Sequence, residues 1–194
     1  MIGDRKSPNS AKRAFPAAGV LLAAMLCLLG DTAPAQASSA DEDQVKAAFL
    51  LNFGKFVEWP TTAFASQAEP FRICITGAKD VANALGILVI GQKLNGREIA
   101  VMLIDHHQPV KQCHMLFIGN VGAKKRTSLL AETKGTSTFT VADEKDFIDN
   151  GGMLGLVNAD NRISFEINQQ LAEDAGLKIS SRLLSLARVV RGKS

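Results

Sequence analysis

The pattern of apolar and polar positions changes character three times along the chain. After Ser39-Ala40-Asp41-Glu42, which has capping-box spacing, Val45, Phe49, Asn52, Phe53 and Phe56 recur at helical intervals. Leu50, Leu51 and Val57 fill a second face, so this predicted helix is either buried between layers or waiting for a partner. Trp59-Pro60 ends it, and Thr61 to Pro70 reads as a polar loop. Alternation then begins. Strands are expected at Phe71–Thr76, Arg97–Ile104, Cys113–Ile118 and Thr136–Val141. Helices are expected at Asp80–Val89, Lys124–Thr133 and, short and acidic, Asp143–Asn150.

Beyond Gly152 the period shortens. Met153–Val157 and Arg162–Ile167 flank Asn158-Ala159-Asp160-Asn161, the layout of a hairpin with a four-residue turn. Asn168 caps a short helix ending at Gly176, and Ser180 caps a last one carrying Leu183, Leu186, Ala187 and Val190 on one side. Strands alternating with helices at this spacing define an α/β fold. The expectation is a single-domain, three-layer mixed sheet, mostly parallel, with flanking helices and a C-terminal hairpin.

The N-terminal segment stands apart from this pattern. Arg5, Lys6, Lys12 and Arg13 precede an apolar run from Phe15 to Gly30, and small-x-small sites follow at Ala33-Pro34-Ala35 and Ala35-Gln36-Ala37. That is the order of a secretory signal peptide; the alternative is an uncleaved anchor. We expect residues 1–37 to be the signal peptide, residues 38–194 the folded domain, and the location to be the periplasm. Of 194 residues 46% are hydrophobic, ordinary for a globular protein and too few for a membrane bundle. Cleavage after Ala37 removes four of the 22 Lys and Arg and two of the 19 Asp and Glu, leaving a net charge of +1. The basic balance is therefore largely the leader's, and it argues for no nucleic-acid partner.

Two of three cysteines survive cleavage, Cys74 and Cys113, and an even number in an exported chain favours a disulfide over two free thiols. A bridge closes a loop of 40 residues, worth about 4 kcal/mol in the chain-entropy model. It also constrains topology, because Cys74 lies on the first strand and Cys113 opens the third, and their Cα atoms must approach within about 7 Å. Among the four parallel strands the flavodoxin-like order 2-1-3-4 places those two side by side, whereas 3-2-1-4 separates them. The spacing is wrong for a redox Cys-x-x-Cys motif, so the pair reads as a structural clamp, with a labile sensing bridge as the alternative.

Catalytic chemistry is poorly supported. No nucleophile elbow, phosphate loop or dinucleotide fingerprint occurs. His106, His107 and His114 with Asp105 are the one metal-ligand cluster to weigh; lacking helix spacing, they read as solvated loop histidines. Asp143, Glu144, Asp146 and Asp149 read as a solvated helix face. Glu166 is either a rim charge paired with Arg162 or Arg182, or a contact charge at an interface. We expect no enzymatic activity, no cofactor and no metal.

The run Ala47-Ala48-Phe49-Leu50-Leu51-Asn52-Phe53-Gly54-Lys55-Phe56-Val57-Glu58-Trp59-Pro60 resembles the N-terminal signature of the YfiR family of exported bacterial proteins. The likeness continues through Phe71-Arg72-Ile73-Cys74-Ile75-Thr76-Gly77, Cys113-His114 and Gly151-Gly152-Met153-Leu154-Gly155. It closes on Phe165-Glu166-Ile167-Asn168 and Gly176-Leu177-Lys178-Ile179-Ser180-Ser181-Arg182-Leu183-Leu184. The resemblance implies a non-catalytic periplasmic repressor that binds the sensor domain of an inner-membrane diguanylate cyclase, lowering cyclic-di-GMP and biofilm formation. It further implies an outer-membrane lipoprotein that sequesters the repressor, and a homodimer. Cys74 and Cys113 match one family disulfide; a second pair found in some members is missing, with Ile148 and Gly155 near where it would fall. We place partner binding at Glu166, Leu177, Ile179, Leu183 and Leu184, rimmed by Arg182, Arg188, Arg191 and Lys193; the alternative is that these leucines pack the core. A different class of function is a small-ligand-sensing module acting on a sensor kinase or receptor, with a crevice at Gly77, Gly119-Asn120 and Asp143 beyond the carboxyl ends of the strands.

Overall fold

Strict alternation along the strands sends successive side chains to opposite faces and builds two cores on one sheet. The computed structural model describes residues 39–105, 108–159 and 162–192. Its strands are β1 (Val57–Glu58), β2 (Phe71–Thr76), β3 (Lys93–Leu94), β4 (Arg97–Leu103) and β5 (Met115–Ile118), followed by β6 (Phe139–Ala142), β7 (Leu154–Ala159), β8 (Arg162–Asn168), β9 (Lys178–Ile179) and β10 (Val189–Arg191). Five helices accompany them: α1 (Ser39–Phe56), α2 (Lys79–Leu88), α3 (Ala123–Thr133), α4 (Gln169–Asp174) and α5 (Ser181–Leu186). The main sheet has eight strands in the order β10-β8-β7-β6-β5-β2-β4-β3. Its centre, β4-β2-β5-β6, is parallel and is the 2-1-3-4 order that the cysteines require. The hairpin β7–β8 is antiparallel, β7 is parallel to β6, and β10 is parallel to β8.

One face carries Phe71, Ile73, Ile75, Met115, Phe117, Phe139, Val141, Leu154, Leu156, Phe165 and Ile167, packed against buried residues of α1, α2, α4 and α5. The other carries Cys74, Leu116, Ile118 and Ala142, covered by Leu129 and Leu130 of α3 and by Phe147. The three layers are as expected. Helix α1 buries Ala47, Leu50, Leu51, Phe53 and Gly54. The Phe49 and Phe53 rings meet Phe165 edge-on, at centroid distances of 6.1 and 5.3 Å. Gly54 makes room for the Leu94 side chain of β3: a Cβ there would lie 2.6 Å from its methyl carbon, so that leucine would have to shift.

Two expectations are corrected. Asp143–Asn150 is a series of turns rather than a helix, because Asp146 adopts φ +58° and breaks the helical path. The last helix stops at Leu186, where the backbone of Ala187 turns extended. Val190 therefore lies on the edge strand β10, held by the Arg188 N–H donating to the Phe165 carbonyl at 2.8 Å. The short pairs β1–β9 and β3–β4 were not foreseen; both are antiparallel and involve two residues a side.

Candidate functional site

A densely hydrogen-bonded polar cluster lies near the amino-terminal ends of β2 and β5. Cys74 and Cys113 form a disulfide with a Cα–Cα distance of 5.8 Å, and both residues are buried. Beside it His114 is buried, contrary to the expectation of a solvated loop histidine. Its Nδ1 accepts the Arg72 backbone N–H at 2.9 Å, and its Nε2 faces the Ala63 carbonyl at 3.1 Å. A carbonyl only accepts, so the proton sits on Nε2 and the ring is neutral. Burial, the largest influence, pushes the His114 pKa down from 6.5; the Ala63 carbonyl and Glu69 oppose that and Arg72 and Arg97 reinforce it.

Around the ring, side chains lock the loop from Thr61 to Pro70. Phe64 stacks on His114 with centroids 4.3 Å apart, and the Arg97 guanidinium lies 3.8 Å over the outer face of Phe64. Arg97 Nη1 also donates to the carbonyls of Ser66, Gln67 and Glu69 at 2.8, 3.1 and 2.8 Å. Trp59 Nε1 donates to the His114 carbonyl at 3.0 Å. Arg72 pairs with Glu69, whose carboxyl is held below its usual range first by the Ala65 N–H and then by Arg72. Every polar atom of the histidine ring is thus committed to structure. His106 and His107 lie outside the described residues, and among those described no three His, Cys, Asp or Glu side chains converge as a metal site.

The five residues assigned to partner binding do not form one surface. Leu177 and Leu183 are core, 1% and 3% exposed. Ile179 and Leu184 are half-buried against that core, with Ile179 paired to Val57 in the β1–β9 ladder. Glu166 is half-buried on β8, one strand in from the edge, in register with Gly155 on one side and Val189 on the other. Since Phe165 and Ile167 point into the core under α1, Glu166 points to the opposite face. Among the described residues it has no ion pair with Arg162 or Arg182. The residue that sequence reasoning passed over is Leu186, which it placed on the packed side of the last helix and which is 64% exposed. Val190 is exposed beside it in sequence, and Arg182 reaches over Phe56 at 5.7 Å.

The crevice beyond the carboxyl ends of the strands holds about 430 Å³ and is lined by Gly119, Asn120, Val121, Arg126, Asp143 and Glu144. Gly77 supports it from below: its carbonyl accepts the Asn120 N–H at 3.0 Å. The acids expected to be a solvated face are largely exposed, as Asp143, Asp146 and Asp149 show, and three of the four also form surface ion pairs. Glu144 binds Arg126, Asp143 binds Lys46 at 2.6 Å and Asp149 binds Arg191 at 2.9 Å. Burial works against the Lys46 charge, but Asp143 and Glu42 outweigh it and raise its pKa. Ile148 packs at the site of the missing second bridge, its Cγ2 3.9 Å from where a Cβ on Gly155 would stand.

A sheet covered on both faces, with a buried disulfide and side-chain clusters committed to structure, defines a three-layer α/β domain. The sequence profile of the YfiR/HmsC-like family matches residues 43–188, and the chain belongs to that family. The family is one of periplasmic, non-catalytic regulators, and the general role follows: a periplasmic regulator in diguanylate-cyclase signalling. No helix among the described residues is long and apolar enough to cross a membrane.

Proposed function

We propose that the exported protein binds the periplasmic sensor domain of an inner-membrane diguanylate cyclase and holds the enzyme off by contact alone. The contact surface is the C-terminal segment: Ile179 and Leu184 half-buried, Leu186 and Val190 exposed, and Arg182 and Arg188 alongside, with Glu166 a separate contact on the opposite face of the sheet. Leu177 and Leu183 act beneath it, fixing the segment to the core. The observation that supports this best is Leu186, a large apolar side chain left 64% exposed on a segment whose neighbouring leucines are packed. An apolar strip with arginines at its rim has the make-up of a protein contact. On this reading the protein works as a homodimer, and an outer-membrane lipoprotein relieves repression by sequestering it.

The test is a pull-down from membranes with the tagged mature protein, followed by mass spectrometry. Recovery of an inner-membrane diguanylate cyclase, lost with Leu186→Asp, is the expected outcome. Recovery of only a sensor kinase or receptor overturns the cyclase reading in favour of another pathway. Absence of any membrane partner, with a thermal shift on adding a small molecule, moves the function to the crevice at Gly119 and Asn120.

A further inference from the structure

A second surface, distant in sequence from the C-terminal edge, carries its own recognition chemistry. Between α1 and α2 runs an open groove of about 800 Å³. From α1 it is lined by Asp41, Gln44, Val45 and Ala48, and from α2 by Asp80, Ala84, Ile87 and Leu88. Both sets follow helical spacing, so each helix turns one continuous stripe to the groove. Val45, Ile87 and Leu88 are exposed, Ile87 at 71%, and Ile90 just beyond is 76% exposed. This grouping of large aliphatic side chains is costly in water and serves no packing among the described residues. Among the described residues, the charged side chains that line the groove are acids: Asp41, Asp43 and Asp80. Their places near helix starts suit the helix dipoles, but the dipoles do not account for the aliphatic floor between them.

From this combination we infer that the α1–α2 groove is a docking site for an amphipathic helix of a partner protein, its apolar face flanked by lysine or arginine. Ala48 and Ala84 are small residues on the facing helices, and Val45 with Ala48 and Ala84 with Ile87 and Leu88 stand at the i, i+3 and i+4 spacing that packs against a third helix. Charge decides between occupants. A second copy meeting groove to groove would set acid against acid, and an anionic bilayer would be repelled by the same rim. A basic flank is attracted, and the association weakens as salt rises. The site is independent of the C-terminal edge, so the two surfaces can be occupied by different partners or by two parts of one.

The test uses the exported protein purified from the periplasm and two fluorescent helical peptides with the same leucine face, one flanked by lysines and one by glutamates, read by anisotropy. The lysine peptide is expected to bind in a salt-sensitive way and the glutamate peptide not to bind. Ile87→Glu and Asp80→Lys, both at exposed positions, are each expected to weaken binding at least about tenfold, some 1.4 kcal/mol. Ile87→Ser guards against misfolding and is expected to weaken binding with an unchanged melting temperature. Equal binding of the two peptides, or binding indifferent to Ile87 and Asp80, overturns the inference. So does a groove substitution that changes the oligomeric state in sedimentation, which would assign the groove to a second copy.

Discussion

His114 shows how one residue type supports opposite readings. In the sequence it is one of three histidines near an aspartate; in the structure both ring nitrogens are used, one by the Arg72 N–H and one by the Ala63 carbonyl. Because its pKa is lowered by folding, the unfolded chain binds the proton more readily. The stabilisation is therefore present above pH 6.5 and lost as pH falls toward the lower folded value. Urea midpoints are expected to be level from neutral to mildly basic pH and to decline below pH 6.5. In His114→Phe the overall midpoint should fall by the equivalent of about 1–3 kcal/mol, since the Arg72 N–H loses its acceptor, and the decline attributable to this ring should vanish. An unchanged pH profile in the variant would remove His114 as its cause. Nothing in the sequence pattern marks this role, because its partners are backbone groups from β2 and from the loop after Pro60.

At the scale of elements, what was legible is what repeats for long enough. Helices α2 and α3 and the four parallel strands have enough residues to display a period, and Asn168 and Ser180 cap as expected, accepting the N–H groups of Leu171 and Leu183 at 3.1 and 3.2 Å. Two-residue ladders such as β1–β9 have no period to read. The C-terminal segment failed for a related reason: Val190 fits a helical stripe by spacing, yet the chain leaves the helix after Leu186 to pair with β8. The consequence is a sharp contrast within one turn of α5. Leu183→Ala is expected to cost about 2–5 kcal/mol by opening a cavity under α1. Leu186→Ala should change stability by less than about 0.5 kcal/mol. Chemical denaturation checks both; comparable losses would mean that Leu186 is also packed and would withdraw it from the contact surface.

For the whole molecule, strand order came from two cysteines. A bridge between strands one and three admits only an order in which they are neighbours, and β2 and β5 are indeed paired, with Cys74 in register with Leu116. The residues proposed to bind a partner were less legible, because burial and exposure alternate between Leu177 and Val190 and sequence alone does not say which leucine meets water. The disulfide lies under α3 and the Phe147 turn, within the second core. Replacing both cysteines by alanine is expected to cost about 4 kcal/mol in denaturant unfolding under oxidising conditions. Regulation of the cyclase should survive in the double variant wherever the fold does, and loss of binding in a still-folded variant would show that the bridge shapes the contact surface.

The account rests most on repression by contact through an exposed edge. Full-length cyclase reconstituted in lipid vesicles, assayed for cyclic-di-GMP synthesis with the purified protein on the sensor side, tests that directly. Wild-type protein is predicted to lower synthesis, and Leu186→Asp, folded and equally stable, to leave it unchanged. Equal repression by Leu186→Asp would contradict the account.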